Sequence, residues 1–366
     1  MTVEQNPGTQ AENATLRVIE IDPRTDLRWE ALMTSLPTSP IYHPAWHEVM
    51  EETYGYRSIH LACEDSTGRL VGILPLFLQQ GWRSGRVLRS VSNGPLVCDE
   101  QANAALLQAA VERTRRMLDT RLHLKLASHA VDNLIDGLVG VPVYEIYALA
   151  LPEQAELLHF DSTIRRAVNK AIRSGVQVRE AETEAELRAW YQLYLETMRK
   201  LMVVPYPYRY YQVAWRRLRP KGLLRLLLAE QVEAGQRRLL GGNLLLLYGQ
   251  VVSFISGGWR EEDQALRAND ILHWQAIRNA CAEGFRYYDF GNVALDNPGL
   301  ARYKRKWGAQ AEMIYDYSYP VVPSKLSNNQ DISRHPVKQL ARTTLPHVPI
   351  KALEFSIHWY YALHLY

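Results

Sequence analysis

The chain contains 366 residues, of which 47% are hydrophobic and 22% are charged, and its formal net charge is only +3. This composition is ordinary for a globular protein with a substantial core, and the length predicts two or three domains. A chain so close to neutrality is not a general binder of polyanions, so any anion site must arise from a local cluster of basic residues.

The cysteines and the N-terminal residues carry no sign of export or of a metal site. Cys63, Cys98 and Cys281 form no CxxC pair, which argues against zinc and against a disulfide framework and fits a reducing cytosol. Residues 1–14 lack the basic start and apolar centre of a signal peptide and are predicted to be a disordered tail. No run approaches the roughly 18–20 apolar residues that cross a bilayer. We therefore expect a cytoplasmic, metal-free protein.

In chain order, the predicted elements occur twice at an offset of roughly 165 residues, which is a domain-sized period. Each copy has a glycine-bounded hairpin, a further strand, an amphipathic helix and a short strand. The matched segments are 59–78 with 223–248, 86–97 with 250–259, 101–118 with 269–283, and 122–127 with 287–290. Shared element order also arises by chance, but the repeated order favours a duplicated α/β unit.

The duplication predicts the domain organisation. An N-terminal unit covers 15–150 and a second unit covers 151–319, with helices near 152–174 and 183–201 joining the two copies. Residues 320–336 are rich in Pro, Ser and Asn and are typical of a linker, and residues 350–366 are apolar and aromatic. This C-terminal segment either packs back onto the protein or lies at a membrane surface, which would make the protein peripheral to the inner face of the membrane.

Five segments in order resemble the Fem-type (FemABX-like) aminoacyl and peptidyl transferases and related GNAT-type acyltransferases. They read STIRRAVNKAIRSGVQV (162–178), WYQLYLETMRKLMVVPYPYRYY (190–211), GGNLLLLYGQVVSFISGGW (241–259), RANDILHWQAIRNACAEGFRYYDFG (267–291) and GLARYKRKWGAQ (299–310). The resemblance implies an α/β (α+β) fold of two tandem GNAT-like domains, each a mixed, mostly antiparallel sheet flanked by helices. It implies that the second domain is catalytic and transfers an acyl or aminoacyl group to an amine, as in peptidoglycan precursor synthesis.

The chain departs from the family pattern in three places. Ala268 stands where many relatives carry proline, and Tyr303 replaces the phenylalanine of the Phe-Lys-x-x-Trp/Phe-Gly motif. The sequence also shows no coiled-coil arm of the kind that some members use to contact tRNA. That absence weakens the case for an aminoacyl-tRNA donor.

Lys304 and Asp289 are the predicted catalytic residues. Acyl transfer to an amine passes through a tetrahedral species whose oxyanion needs a fixed donor. Lys304, between Tyr303 and Trp307, suits this role, and the alternative is a solvated lysine in a basic turn. Asp289 is predicted to end a strand at Gly291, where it would orient the amine or accept its proton. Its alternative role is to cap the next turn.

Further residues are predicted to bind substrate, and among them are Gly291, Tyr303 and Trp307 around the predicted catalytic pair. Arg166, Lys170 and Arg173 share one helix face that can hold a phosphate-bearing substrate, whereas Ile164, Val168, Ala171 and Ile172 are expected to pack inward. The alternative for the basic face is simple solvation. Tyr206 and Tyr208 can line a groove for a sugar or peptide or pack between domains. The predicted acceptor is a small-molecule or lipid-linked amine.

The donor remains open at this point. A GNAT unit that binds coenzyme A usually has a glycine-rich loop before its helix, and residues 261–272 contain no glycine. Asn269 in this segment either contacts substrate or caps the helix. No cofactor is firmly implied, and acyl-CoA and aminoacyl-tRNA are both possible donors. A non-catalytic binding protein on the same fold is the rival from another class.

Overall fold

The computed structural model describes residues 16–81, 85–90, 93–127, 138, 140–233, 236–320 and a few residues between 349 and 357. The predicted tail at 1–14 and nearly all of the predicted C-terminal segment at 320–366 lie outside the described residues. The predicted division at residues 150 and 151 stays a prediction.

The first half of the chain contributes strands to two sheets and forms three α-helices among its described residues. In order they are β1 (Arg17–Ile21), α1 (Arg28–Ser35), α2 (Pro44–Tyr54), β2 (Arg57–Ser58), β3 (His60–Glu64), β4 (Leu70–Leu74), β5 (Leu76–Gly81), β6 (Gly85–Ser90), β7 (Leu96–Val97), α3 (Glu100–Arg115), β8 (Thr120–Leu126) and β9 (Gly140–Ala150). Helix α3 begins where the sequence provides a cap, because the Asp99 side chain accepts a hydrogen bond from the Ala102 amide.

The second half follows the same plan with longer strands. Its elements are α4 (Ser162–Arg173), β10 (Val176–Glu180), α5 (Glu184–Lys200), α6 (Tyr208–Leu218), β11 (Leu224–Glu233), β12 (Gln236–Tyr248), β13 (Val251–Trp259), α7 (Ala268–Ala282), β14 (Tyr287–Ala294), α8 (Pro298–Lys306) and β15 (Gln310–Tyr319). Thr183 and Glu186 form a capping box that starts α5.

The duplication is visible in the strand pairing. Strands β6 and β8 are parallel and are joined through α3, and β13 and β14 are parallel and are joined through α7. All other described strand pairs are antiparallel. A parallel pair needs a crossover connection, which each helix supplies. The predicted fold of two GNAT-like units with mixed, mostly antiparallel sheets is therefore confirmed.

The two units exchange their last strands. The larger sheet has the order β10-β11-β12-β13-β14-β9-β15-β8-β6-β5-β2, and β1, β3, β4 and β7 form a second sheet. Strand β9 follows β8 in the chain but lies between β14 and β15, whereas β15 follows β14 but lies between β9 and β8. One continuous sheet of eleven strands thus joins the halves.

Helices cover both faces of the second half of this sheet. Neighbouring strand residues point to opposite faces, so Leu226 packs with α5 and α6 whereas Leu227 packs with α4 and α7. In the first half, α3 packs on Leu122 and Leu124 of β8. Helices α3 and α7 lie on the same side of the eleven-stranded sheet. We call the opposite side the far face.

Two local predictions were wrong. Strand β14 does not end at Gly291 but continues to Ala294, because its second part pairs with β9 rather than with β13. Ile172 does not pack inward. It is 54% exposed near the end of α4, where the inward positions are taken by Ile164, Val168 and Ala171.

Candidate active site

The candidate site lies where β13 and β14 separate. The two strands pair only over 251–253 and 287–289, with Asp289 opposite Ser253 in the last pair. Beyond this point β13 continues to Trp259 while β14 follows β9, so the two backbones no longer bond to each other. Ligands of α/β sheets collect where neighbouring strands part at their carboxyl ends.

A hydrogen bond between the Asp289 side chain and the Gly291 backbone closes a short turn at this point. The Gly291 amide donates to Asp289 Oδ1 at 2.7 Å, and the register between β14 and β9 shifts between Asp289 and Asn292. Gly291 has a φ of +76°, and a Cβ there would lie 3.3 Å from the Phe254 carbonyl oxygen. The position therefore suits glycine, because a side chain would be both strained and crowded.

The side chain of Lys304 extends from α8 to this turn. Its Nζ donates to the carbonyl oxygens of Gly291 at 2.9 Å and Asn292 at 3.1 Å, and the residue is only 5% exposed. The ammonium has three N–H donors, so two backbone acceptors leave one donor for another group. The predicted alternative of a solvated lysine does not describe this position.

Burial dominates the electrostatics of Lys304 and Asp289. It lowers the pKa of Lys304 to about 8, and the nearby Asp289 carboxylate partly offsets this change. Burial likewise raises the pKa of Asp289, against the hydrogen bond from the Gly291 amide and the charge of Lys304. Each charge is desolvated and each supports the other, which is common in functional sites.

Tyr303 and Asn269 lie together beside a cavity. The Asn269 amide donates to the Tyr303 hydroxyl at 3.2 Å, which in turn donates to Asp270 Oδ1 at 3.1 Å. Burial raises the pKa of Asp270 despite the hydroxyl. The cavity measures about 230 Å³ and is lined in part by Arg260, which follows β13, by Arg267 at the start of α7, and by the carboxylates of Asp263 and Asp270.

Trp307 lies in the hydrophobic core next to Tyr303. Its exposed fraction is 0%, and its ring centroid lies 5.0 Å from that of Phe160 and 5.9 Å from that of Phe290. The indole therefore supports α8 through packing, and it presents no surface to solvent.

The predicted tyrosines take different positions. Tyr206 is 45% exposed, and its backbone is held by the hydroxyls of Tyr191 and Tyr194 at 3.0 Å each. Tyr208 is half-buried and carries the Arg188 guanidinium 4.4 Å from its ring centroid.

The basic face of α4 is exposed. Arg166, Lys170 and Arg173 all face solvent and make no ion pair within the described part of the chain. The helix is tied to α8 at the other end, where Lys306 donates to the Thr163 hydroxyl at 3.2 Å. Within the described residues, no hydrogen bond or ion pair joins the three basic residues to Lys304 or Asp289.

Sequence reasoning missed the contribution of β9. Tyr147 places its ring 5.8 Å from Lys304 Nζ, and the Tyr144 hydroxyl donates to Asn93 Oδ1 at 3.1 Å. Asp289 is among the charges that raise the pKa of Tyr144, although burial is the main cause. The two tyrosines of YEIYALA are three residues apart, so they point to opposite faces of a strand, and nothing in the segment indicates that it lies beside β14.

No group of metal-binding side chains occurs among the residues that the structure describes. Over the same residues, no helix is long and apolar enough to span a bilayer.

Comparison with known proteins identifies the class. Residues 159–305 match the family model described as "Acetyltransferase (GNAT) domain", so the second half of the chain carries a GNAT-type acyltransferase domain. No curated protein matches the chain. The predicted resemblance to GNAT-type and Fem-type transferases is confirmed by this domain together with the fold.

Solved structures share the fold over most of the chain. The crystal structure of FemX has a TM-score of 0.69 and 16% identity, over 89% of this chain and 100% of that one. L-PGS from Bacillus licheniformis has a TM-score of 0.55 and 11% identity, over 89% and 99%. A tandem GNAT protein from the clavulanic acid biosynthesis pathway has a TM-score of 0.51 and 13% identity, over 82% and 98%.

Proposed function

We propose that the protein transfers an acyl or aminoacyl group from an activated donor to an amine, forming an amide in the synthesis of a cell-envelope component such as a peptidoglycan precursor. The observation that carries the proposal is the desolvated Lys304 ammonium. Two carbonyl oxygens hold it beside Asp289 at the point where β13 and β14 part. The shared fold with FemX and L-PGS supports the envelope setting.

The chemical step follows from these positions. The amine nitrogen attacks the donor carbonyl carbon, a C–N bond forms, and the bond from that carbon to the ester oxygen or thioester sulfur breaks. The amine loses one proton and the leaving group gains one. Asp289 orients the amine and accepts hydrogen bonds from its N–H groups, and its raised pKa suits a group that takes up a proton in passing.

Lys304 stabilises the oxyanion with its third N–H. With a pKa of about 8 the side chain is mostly charged at pH 7, so it is a cation when the carbonyl oxygen gains charge. A fixed donor of this kind is worth about 10²–10³ in rate where it has been removed from other enzymes. The two backbone acceptors fix the position of the ammonium before the reaction, so it need not move or be reoriented when the oxyanion forms.

The donor pocket is proposed to be the cavity beside Tyr303 and Asn269. Arg267 on its wall can meet phosphate groups, which both acyl-CoA and aminoacyl-tRNA carry, whereas Arg260 is already ion-paired with Glu262 and Asp263. The absence of glycine in 261–272 favours a donor other than coenzyme A, so acyl-CoA is the second candidate. The exposed basic face of α4 supports contact with a phosphate-bearing or lipid-linked substrate, at a peripheral position on the cytoplasmic membrane face.

The test replaces Lys304 with methionine, which keeps the length of the side chain and removes the charge. Purified full-length protein is incubated with aminoacyl-tRNA or acyl-CoA and a panel of amines, and mass spectrometry detects amide products. Lys306→Met is the matched control, because it removes a lysine from the same helix. We expect Lys304→Met to lose at least about 10² of the rate and Lys306→Met to retain it. Equal turnover in Lys304→Met and wild type would rule out the mechanism.

Absence of any product with every donor would favour the non-catalytic alternative. Tight binding of coenzyme A in calorimetry would favour acyl-CoA as donor.

A further inference from the structure

Two basic side chains lie side by side in the first unit, on the far face of the sheet. Arg89 ends the parallel pairing of β6 with β8, opposite His123, and Lys125 lies two residues further along β8. Leu122 and Leu124 of the same strand pack on α3, so the alternating residues His123 and Lys125 point to the far face.

Neither basic side chain has a carboxylate partner within the described chain. Both residues are half-buried, and Arg89 Nε is inaccessible to solvent with no hydrogen-bond partner there. Lys125 Nζ lies 5.1 Å from the centroid of the Tyr144 ring. Burial lowers the pKa of Lys125, the Arg89 charge lowers it further, and Asp316 opposes both effects.

The only acidic group that the structure shows acting on Lys125 is already engaged. Asp316 Oδ1 lies 3.7 Å from His123 Nδ1, so its charge is shared with the imidazole. Two desolvated cations in mutual repulsion cost stability, and such an arrangement is typical of a place where an anion binds.

Strand register links these cations to the candidate active site. Residues directly paired on neighbouring strands share a face, as do residues two apart on one strand. The far-face pairs that lead from β14 to β8 are Asp289–Ala148, Tyr144–Ile314 and Asp316–Lys125. Tyr144 lies on β9 between these pairs, and its ring centroid is 5.1 Å from Lys125 Nζ. Burial raises the pKa of Tyr144, and the charges of Asp316 and Asp289 raise it further.

We propose that Arg89 and Lys125 form an anion subsite that binds a carboxylate or phosphate group of the amine acceptor. Strand β8 is three strand spacings from β14, which is about 14 Å at about 4.8 Å per spacing. Asp316, which pairs with Lys125, also lies six residues along β15 from Gln310, which pairs with Ala148 beside Asp289. At about 3.3 Å per residue this adds about 20 Å along the strands, so the Lys125 and Asp289 backbones lie roughly 25 Å apart. The inference rests on the proposed function for the role of the bound molecule, and it narrows the acceptor to an amine that carries a negative group at this distance. Tyr144 forms the floor between the two groups.

The test measures binding and needs no turnover. Inorganic pyrophosphate and glutarate are titrated separately into the full-length protein by calorimetry, in wild type, Arg89→Gln and Lys125→Gln. Arg116→Gln is the control, because it removes an exposed positive charge at the end of α3 in the same unit. We expect either substitution in the subsite to weaken binding about tenfold or more, since charge-assisted hydrogen bonds are lost, and Arg116→Gln to leave it unchanged.

The two probes distinguish the sources of the anion. Tighter binding of pyrophosphate indicates a phosphate-bearing acceptor, and tighter binding of glutarate indicates a carboxylate. Binding of neither probe to wild type, or equal binding by all variants, overturns the subsite. Arg89→Gln is also expected to keep or raise the melting temperature because it relieves repulsion, and a clear fall would assign Arg89 a structural role instead.

Failure of the subsite and failure of the proposed function give different results. Lys304→Met is expected to bind the probes as wild type does, because Lys304 lies on α8 rather than in the subsite. If the subsite variants bind normally while Lys304→Met loses turnover, the transfer mechanism stands and the acceptor is bound elsewhere.

Discussion

The buried ammonium of Lys304 makes the stability of the fold depend on pH in an unusual direction. Burial lowers the pKa of Lys304 from its ordinary value of 10.5 to about 8 in the folded chain. Between these values the unfolded chain binds more protons at this residue than the folded chain does. The contribution of Lys304 to the free energy of unfolding therefore rises as the pH increases through this window.

The magnitude follows from the two pKa values. The full effect corresponds to about 3 kcal/mol, and about 2 kcal/mol of it is gained between pH 7 and pH 9.5. Activity is expected to change in the opposite direction, because the charged ammonium that stabilises the oxyanion is lost above pH 8. Stability and turnover thus separate over the same pH range.

Urea denaturation at pH 7 and pH 9.5 measures this contribution. Other titrating groups act on every variant, so the quantity of interest is the free energy of unfolding of wild type minus that of Lys304→Met. We expect this difference to become more favourable to wild type by about 2 kcal/mol at the higher pH. Lys306→Met should follow wild type. A difference that stays constant or falls would show that Lys304 is not desolvated, and the account of the site would fail with it.

Two further substitutions test the local geometry. Gly291→Ala should lower the free energy of unfolding by about 1–2 kcal/mol in urea denaturation, because the positive φ is strained for alanine and its Cβ meets the Phe254 carbonyl; an unchanged stability would contradict this. Tyr303→Phe removes the hydroxyl between Asn269 and Asp270 and should cost about 1 kcal/mol. A loss of less than half that value would mean that water replaces the hydroxyl.

The sequence allowed prediction of the parts of the site that are close in the chain. Asp289, Gly291 and Lys304 belong to one strand–turn–helix segment, so their proximity follows from local structure and from the family motif. The strand was nevertheless predicted to stop at Gly291. Its continuation depends on pairing with β9, and that partner lies far away in the chain.

Partners from the other half could not be predicted for a physical reason. Strand periodicity shows which residues share a face, but it does not show which strand lies alongside. Tyr144, Arg89 and Lys125 belong to the first repeat, where no family motif drew attention to them. They share the far face of one sheet with Asp289 only because β9 and β15 are exchanged between the units.

The strand exchange brings the candidate active site of the second unit and the basic pair Arg89 and Lys125 of the first unit onto one sheet. Without it, each unit would close its sheet with its own last strand, and the parallel pairs β6–β8 and β13–β14 would lie in separate sheets. With it, β9 and β15 stand between the two parallel pairs and pair with each other. Asp289 lies towards one end of the far face, and Arg89 and Lys125, which have no carboxylate partner among the described residues, lie towards the other, so in our proposal a single acceptor contacts both copies.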